Sequence, residues 1–162
     1  MARKPNYCKG IIIAHGKSEL LLAEHIKSNL HLPIEIYSLK NGKTSIQIDS
    51  LMTILGNNDF KNKSKLKQKY IIEEKNKKFI NFFIIPIWND INLDHVLYDL
   101  KLISKLPNDK EKGKVYEELF PKNTGQADLE QVNKLLKYFE STTKTNMNIF
   151  IEKCLESLQT FK

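Results

Sequence analysis

Five consecutive residues near the N-terminus, His15-Gly16-Lys17-Ser18-Glu19, gather the side chains best suited to chemistry. An imidazole at this place can polarise a phosphate or activate water. Lys17 and Ser18, where an apolar periodic run begins, would meet a phosphate together with the unpaired N–H groups of a helix N-terminus. Glu19 has two readings: an acid that satisfies the helix dipole, or a metal ligand or general base. The segment is not a Walker A loop, because the Gly-x-x-x-x-Gly-Lys pattern is absent. Downstream, Asp90 follows an apolar run, with Asp94 a helical turn beyond it. Either would join Glu19 only if their strand ends are neighbours. His15, Glu19 and Asp90 are therefore the candidate catalytic set, and Glu19 and Asp90 the candidate metal ligands.

A second set of residues suits nucleic acid. Lys61, Lys65 and Lys69 would share one face of a helix and could track a phosphate backbone, although Glu73 and Glu74 partly cancel the patch. The plain structural alternative is a solvated surface. Trp88, at a strand end beside polar residues, is a candidate stacking platform. Gly16, Lys17, Ser18, Lys61, Lys65, Lys69 and Trp88 are thus the candidate phosphate-binding or nucleic-acid-binding residues. Other chemistries can be set aside. Neither Gly-x-Ser-x-Gly nor Gly-x-Gly-x-x-Gly occurs, and no pair among His15, His25, His31 and His95 has zinc-ligand spacing.

The elements that must position these residues are legible from hydrophobic period. The run Gly10-Ile-Ile-Ile-Ala14 is short, apolar and β-branched, which predicts a buried parallel strand. Ser18 to Leu30 sets Leu22, Ala23, Ile26 and Leu30 on one helical stripe, which Pro33 would end. Ile34 to Tyr37 alternates as a second strand, so a βαβ crossover is the natural topology. Lys40 to Lys43 reads as a turn, and helices are expected from Ser45 to Leu55 and from Asp59 to Tyr70. Phe79 to Ile87 predicts a third strand. Asn92 would cap a helix carrying Leu93, Val96, Leu97, Leu100 and Ile103. Pro107 to Lys114 reads as a polar loop, and Val115 to Phe120 as a short helical or irregular piece. The stripes Leu129-Val132-Leu135-Leu136-Phe139 and Met147-Phe150-Ile151-Cys154-Leu155-Leu158 predict two closing helices, with Thr145 or Asn146 as a cap between them.

Composition sets the outer bounds. The chain has 162 residues and a formal charge of +7, which favours an anionic partner. Arg3 is its single arginine, so phosphate contact is favoured over bidentate base readout. No apolar run approaches the roughly 20 residues that span a bilayer, and the first ten residues lack the apolar stretch of a secretory signal. Cys8 and Cys154 fit no metal spacing and read as reduced thiols. A cytoplasmic protein with no membrane partner is expected.

A strand that ends in Gly-Lys-Ser-Glu and runs into a helix resembles the opening of Toprim domains, found in topoisomerases, primases and overcoming-lysogenization-defect nucleases. His15 to Glu19, Ile26 to Leu30, Ser45 to Ile48 and Asn92 to Leu97 are similar to small bacterial and phage proteins of that broad group. The resemblance covers about the first 55 residues and the chain from about Phe83 onward. It implies a magnesium site built from a glutamate at the end of the first strand and an Asp-x-Asp at the end of a later one. This chain departs from both: His15 stands where the glutamate would be, and Trp88-Asn89-Asp90 follows the third strand.

The expected fold is α/β, a small mostly parallel sheet of three to four strands with flanking helices and a helical C-terminal third. One domain is expected over 1–162, an α/β core (1–92) with a helical part (93–162) packed on it. The expected role is a non-catalytic Toprim-like protein that binds nucleic acid or a nucleic-acid-processing enzyme in phage or bacterial conflict. No cofactor is expected in that role. Two alternatives stand beside it: a magnesium-dependent nuclease or phosphotransfer enzyme using Glu19 and Asp90, and an interaction or inhibitor module whose helical end meets a protein partner or a second copy.

Overall fold

The computed structural model describes residues 10–32, 34–47, 50, 53–54, 85–122 and 129–159. Strands β1 (Gly10–Ile13) and β2 (Ile34–Tyr37) pair in parallel, with Gly10 opposite Ile34 and Ile13 opposite Tyr37. Helix α1 (Lys17–Leu30) crosses between them, as the hydrophobic pattern predicts. A 3-10 turn (Lys40–Gly42) follows. Beyond it come α2 (Leu93–Asp99), α3 (Lys112–Leu119), α4 (Leu129–Glu140) and α5 (Met147–Gln159). Among the described residues the architecture is therefore mixed α/β, five helices with a two-stranded parallel sheet. No helix among them is long and apolar enough to cross a membrane.

The period of two in β1 divides its isoleucines between two apolar clusters. Ile12 packs toward the helices, where Leu22, Ile26 and Leu30 of α1 meet Leu93, Val96, Leu97, Tyr116, Val132, Phe139 and Ile151. Each of these is 0–1% exposed. Burying a large apolar side chain of this kind contributes about 1.5–3 kcal/mol. Ile11 and Ile13 point the other way, onto Tyr37, Ile46 and Ile54. All three isoleucines are half-buried, not fully enclosed as the apolar run suggests.

Several boundaries differ from the sequence expectation, each for a local reason. Helix α2 stops at Asp99, short of Ile103. Lys101 takes a left-handed conformation (φ 58°), its N–H donates to the Tyr98 carbonyl, and the Leu102 N–H reaches back to Leu97. That is a Schellman ending with lysine where glycine is usual. The same device closes α1: His31 has φ 48°, its N–H bonds the Ser28 carbonyl, and the Leu32 N–H bonds that of Lys27. Pro107 to Lys114 is not a plain loop. The Asn108 side-chain oxygen accepts from the N–H of Glu111 at 3.0 Å, and the Glu111 carboxylate accepts from the N–H of Asn108 at 3.3 Å. This reciprocal capping box starts the turn that leads into α3.

Residues 85–88 belong to no strand, and the rest of the expected third strand (79–84) lies outside the described residues. Instead, the Asn146 side-chain amide spans this segment. It donates to the Pro86 carbonyl at 2.9 Å and accepts from the Trp88 N–H at 2.7 Å, as a neighbouring strand would. Asn89 and Thr145 add one antiparallel bridge. The two expected caps are in place: Asn92 accepts from the His95 N–H at 3.0 Å, and the Thr145 hydroxyl accepts from the Met147 N–H at 3.0 Å.

Candidate functional site

His15 sits just past the carboxyl end of β1, exposed, and two reciprocal bonds fix it. Its carbonyl accepts from the Ile46 N–H at 2.9 Å, and its Nδ1 lies 2.6 Å from the Ile46 carbonyl oxygen. A carbonyl only accepts, so Nδ1 carries the proton and the neutral ring keeps its lone pair on Nε2. Gly16 follows with extended backbone (φ −150°), a conformation open to any residue. A Cβ there would stand 3.5 Å from the Glu19 carboxylate, an ordinary contact. The position that demands glycine is Gly42. It has φ +78°, and a Cβ on it would fall 2.7 Å from Lys17 Cα and 3.0 Å from Lys17 N. The Lys40–Gly42 turn therefore packs directly on the first residue of α1, and only glycine allows that approach.

The remaining residues of the turn are engaged within the fold. Lys17 Nζ donates to the Asp109 carbonyl at 3.1 Å. The buried Ser18 hydroxyl donates to Asp94 Oδ1 at 2.9 Å. Asp94, 6% exposed, also receives the Tyr116 hydroxyl at 2.7 Å on Oδ1 and the Lys112 ammonium at 2.9 Å on Oδ2. Ser18, Asp94 and Lys112 stand in the first turns of α1, α2 and α3. Three helix starts thus converge on one carboxylate, which suits their positive ends. Burial is the main cause that pushes the Tyr116 phenol far above its usual range, with the Asp94 charge adding to it. In the sequence Asp94 stands out only as a candidate acid beside Glu19 and Asp90, and Lys112 and Tyr116 carry no signal of this role.

Glu19 and Asp90 have different surroundings. The Glu19 carboxylate folds back over Gly16 in the first turn of α1. Asp90 is exposed on the segment beside Lys144: its N–H donates to the Lys144 carbonyl at 2.7 Å. The Lys144 ammonium is held charged above its ordinary range chiefly by Asp99, with Asp90 contributing. Glu19 thus lies over a helix start, and Asp90 beside an ammonium. Among the described residues no group of three or more His, Cys, Asp and Glu converges. Trp88 is half-exposed at 50%, its backbone tied down by Thr145 and Asn146. Lys61, Lys65 and Lys69 lie outside the described residues.

A hollow of about 460 Å³ lies elsewhere, at the far end of α1 between Glu24, Lys27, His31 and Lys122. It is shallow, and Lys122 there is paired with Glu24 at 2.9 Å. The His15 turn pairs an oriented ring with a helix start that carries no side-chain cap. No family model matches this chain, and no curated protein or solved structure does.

Proposed function

We propose that the chain is a Toprim-like protein that holds a nucleic-acid backbone, or the enzyme that processes one, without cutting it, in phage or bacterial conflict. One observation carries the reading. The parallel βαβ unit sets the His15–Glu19 turn at the carboxyl end of β1, while the buried acid nearest it, Asp94, is neutralised by Ser18, Tyr116 and Lys112. A carboxylate so paired serves the fold and is not free to hold a cation. The formal charge of +7 supports a polyanionic partner. The test is anisotropy of labelled single-stranded DNA and RNA across a salt series. Affinity should fall steeply with salt. Changing Lys61, Lys65 and Lys69 to Gln should flatten the slope by about 2, near 0.7 per lost phosphate contact. Binding that ignores salt, or no binding to either nucleic acid or a processing enzyme, would sink the reading.

A second reading, a nuclease or phosphotransfer enzyme using Glu19 and Asp90, has the oriented His15 ring in its favour. Cleavage of plasmid and single strands with magnesium or manganese, abolished by Glu19→Ala in folded protein, would replace the first reading with this one. The interaction-module reading relies on the α5 stripe, yet Met147, Ile151 and Cys154 lie in the chain's own core.

A further inference from the structure

We infer that His15 is a phosphoryl acceptor: its Nε2 takes a phosphoryl group from a small, high-energy phosphoryl donor and holds it as phosphohistidine. The inference rests on the reading that this turn faces phosphate, and adds a covalent step to it. The four histidines differ in ways that single out one. His25 is 2% exposed, with its ring against Phe120 and the Pro121 carbonyl. His31 sits in the left-handed position that ends α1. His95 is half-buried, its Nδ1 against the side chain of its own helix cap, Asn92. His15 alone combines exposure with a ring nitrogen bonded to a backbone carbonyl.

That bond matters for nucleophilicity. A neutral imidazole attacks through its unprotonated nitrogen, and the Ile46 carbonyl fixes that nitrogen as Nε2. The reciprocal Ile46 N–H to His15 carbonyl bond holds the backbone at the same point, so the ring is pre-oriented at little further entropic cost. In the step, the Nε2 lone pair forms the N–P bond while the bond from phosphorus to the donor's leaving group breaks. The leaving group departs with that electron pair and takes up a proton from water. Nδ1 keeps its proton, and the positive charge that develops on the ring is stabilised by the Ile46 carbonyl oxygen. Ser18, the neighbouring hydroxyl, is no competitor: it is 4% exposed and donates to Asp94.

The full-length chain would be incubated with phosphoramidate, from which ammonia is the leaving group. The product would be followed by intact mass, peptide mapping and phosphorus NMR, with acid lability as the signature of a phosphoramidate bond. His15 should be modified about tenfold faster than His31 or His95, the scale of one charge-assisted hydrogen bond in the transition state. The adduct should be the Nε2 isomer, and His15→Gln should remove it while leaving the circular dichroism spectrum unchanged. Equal or faster reaction at His31 or His95, an Nδ1 adduct, or no adduct would overturn the inference. Peptide mapping of the unmodified sequence decides the matter even if the variant fails to fold. Salt-dependent nucleic-acid binding measured on the same preparation separates failure of this step from failure of the binding reading.

Discussion

Replacing Asp94 tests whether three helix starts are truly held by one carboxylate. With Asp94→Ala, the Lys112 ammonium, 19% exposed at its side chain, loses its partner at 2.9 Å, and the Ser18 and Tyr116 hydroxyls lose their acceptor. Breaking a buried pair from one side typically costs about 3–5 kcal/mol. Lys112 can swing partly toward water, where Asp109 Oδ1 at 3.7 Å is a weak substitute, so the lower half of that range is expected. Asp94→Asn keeps an oxygen for both hydroxyls but turns an amide toward the ammonium, for a smaller cost of about 1–2 kcal/mol. Urea unfolding followed by far-ultraviolet circular dichroism gives both values. At a slope of about 2 kcal/mol per molar, the Ala variant should lose about 1.5–2 M in midpoint. A cycle with Lys112→Met should show a coupling of about 1–3 kcal/mol. An Ala variant within about 1 kcal/mol of the parent, or an additive cycle, would refute the hub.

The Tyr116 phenol is held protonated above its ordinary value near 10 chiefly by burial. The unfolded chain releases that proton near pH 10 and the folded chain does not, so stability is intact below pH 10 and falls above it. Tyr116→Phe should flatten this alkaline loss in denaturation curves, and tyrosinate absorbance from Tyr116 should appear only with unfolding. Gly42→Ala must place a Cβ 2.7 Å from Lys17 Cα at φ +78°, so a loss of about 2–3 kcal/mol is expected on thermal or urea unfolding. Lys101→Gly should do the reverse. It relieves a left-handed, exposed lysine and should raise stability by about 0.5–1 kcal/mol after the added freedom of the unfolded chain is subtracted.

What the sequence disclosed follows from what is local. The Ile11–Ile13 run, the α1 stripe and the Ile34–Tyr37 alternation are short-range patterns, and they foretell the βαβ unit. Asn92 and Thr145 are readable as caps because a cap bonds within three residues of itself. The Asn108-x-x-Glu111 capping box was equally local, yet it is hidden by the polar composition of its neighbours. The Asp94 hub was not legible: Ser18 and Asp94 are 76 positions apart, and no period or motif links them. The same holds for His15 and Ile46, whose carbonyl fixes the ring tautomer across 31 positions. Gly16 drew attention by its place after a strand, whereas the need for glycine at 42 comes from a tertiary approach.

The Asn146 amide that spans Pro86 and Trp88 has a kinetic consequence. It closes a loop across 58 positions that contains α2, α3 and α4. Closing a loop of that length costs about 3–4 kcal/mol in chain entropy. Contacts so distant in sequence are made after the helices and the local βαβ unit have formed. The clasp is then absent from the folding transition state and present in the native one. Loosening it by Asn146→Ala would leave the refolding rate nearly unchanged and accelerate unfolding. The amide acts as a brake on opening, and sets how long the native chain lasts more than how fast it is reached.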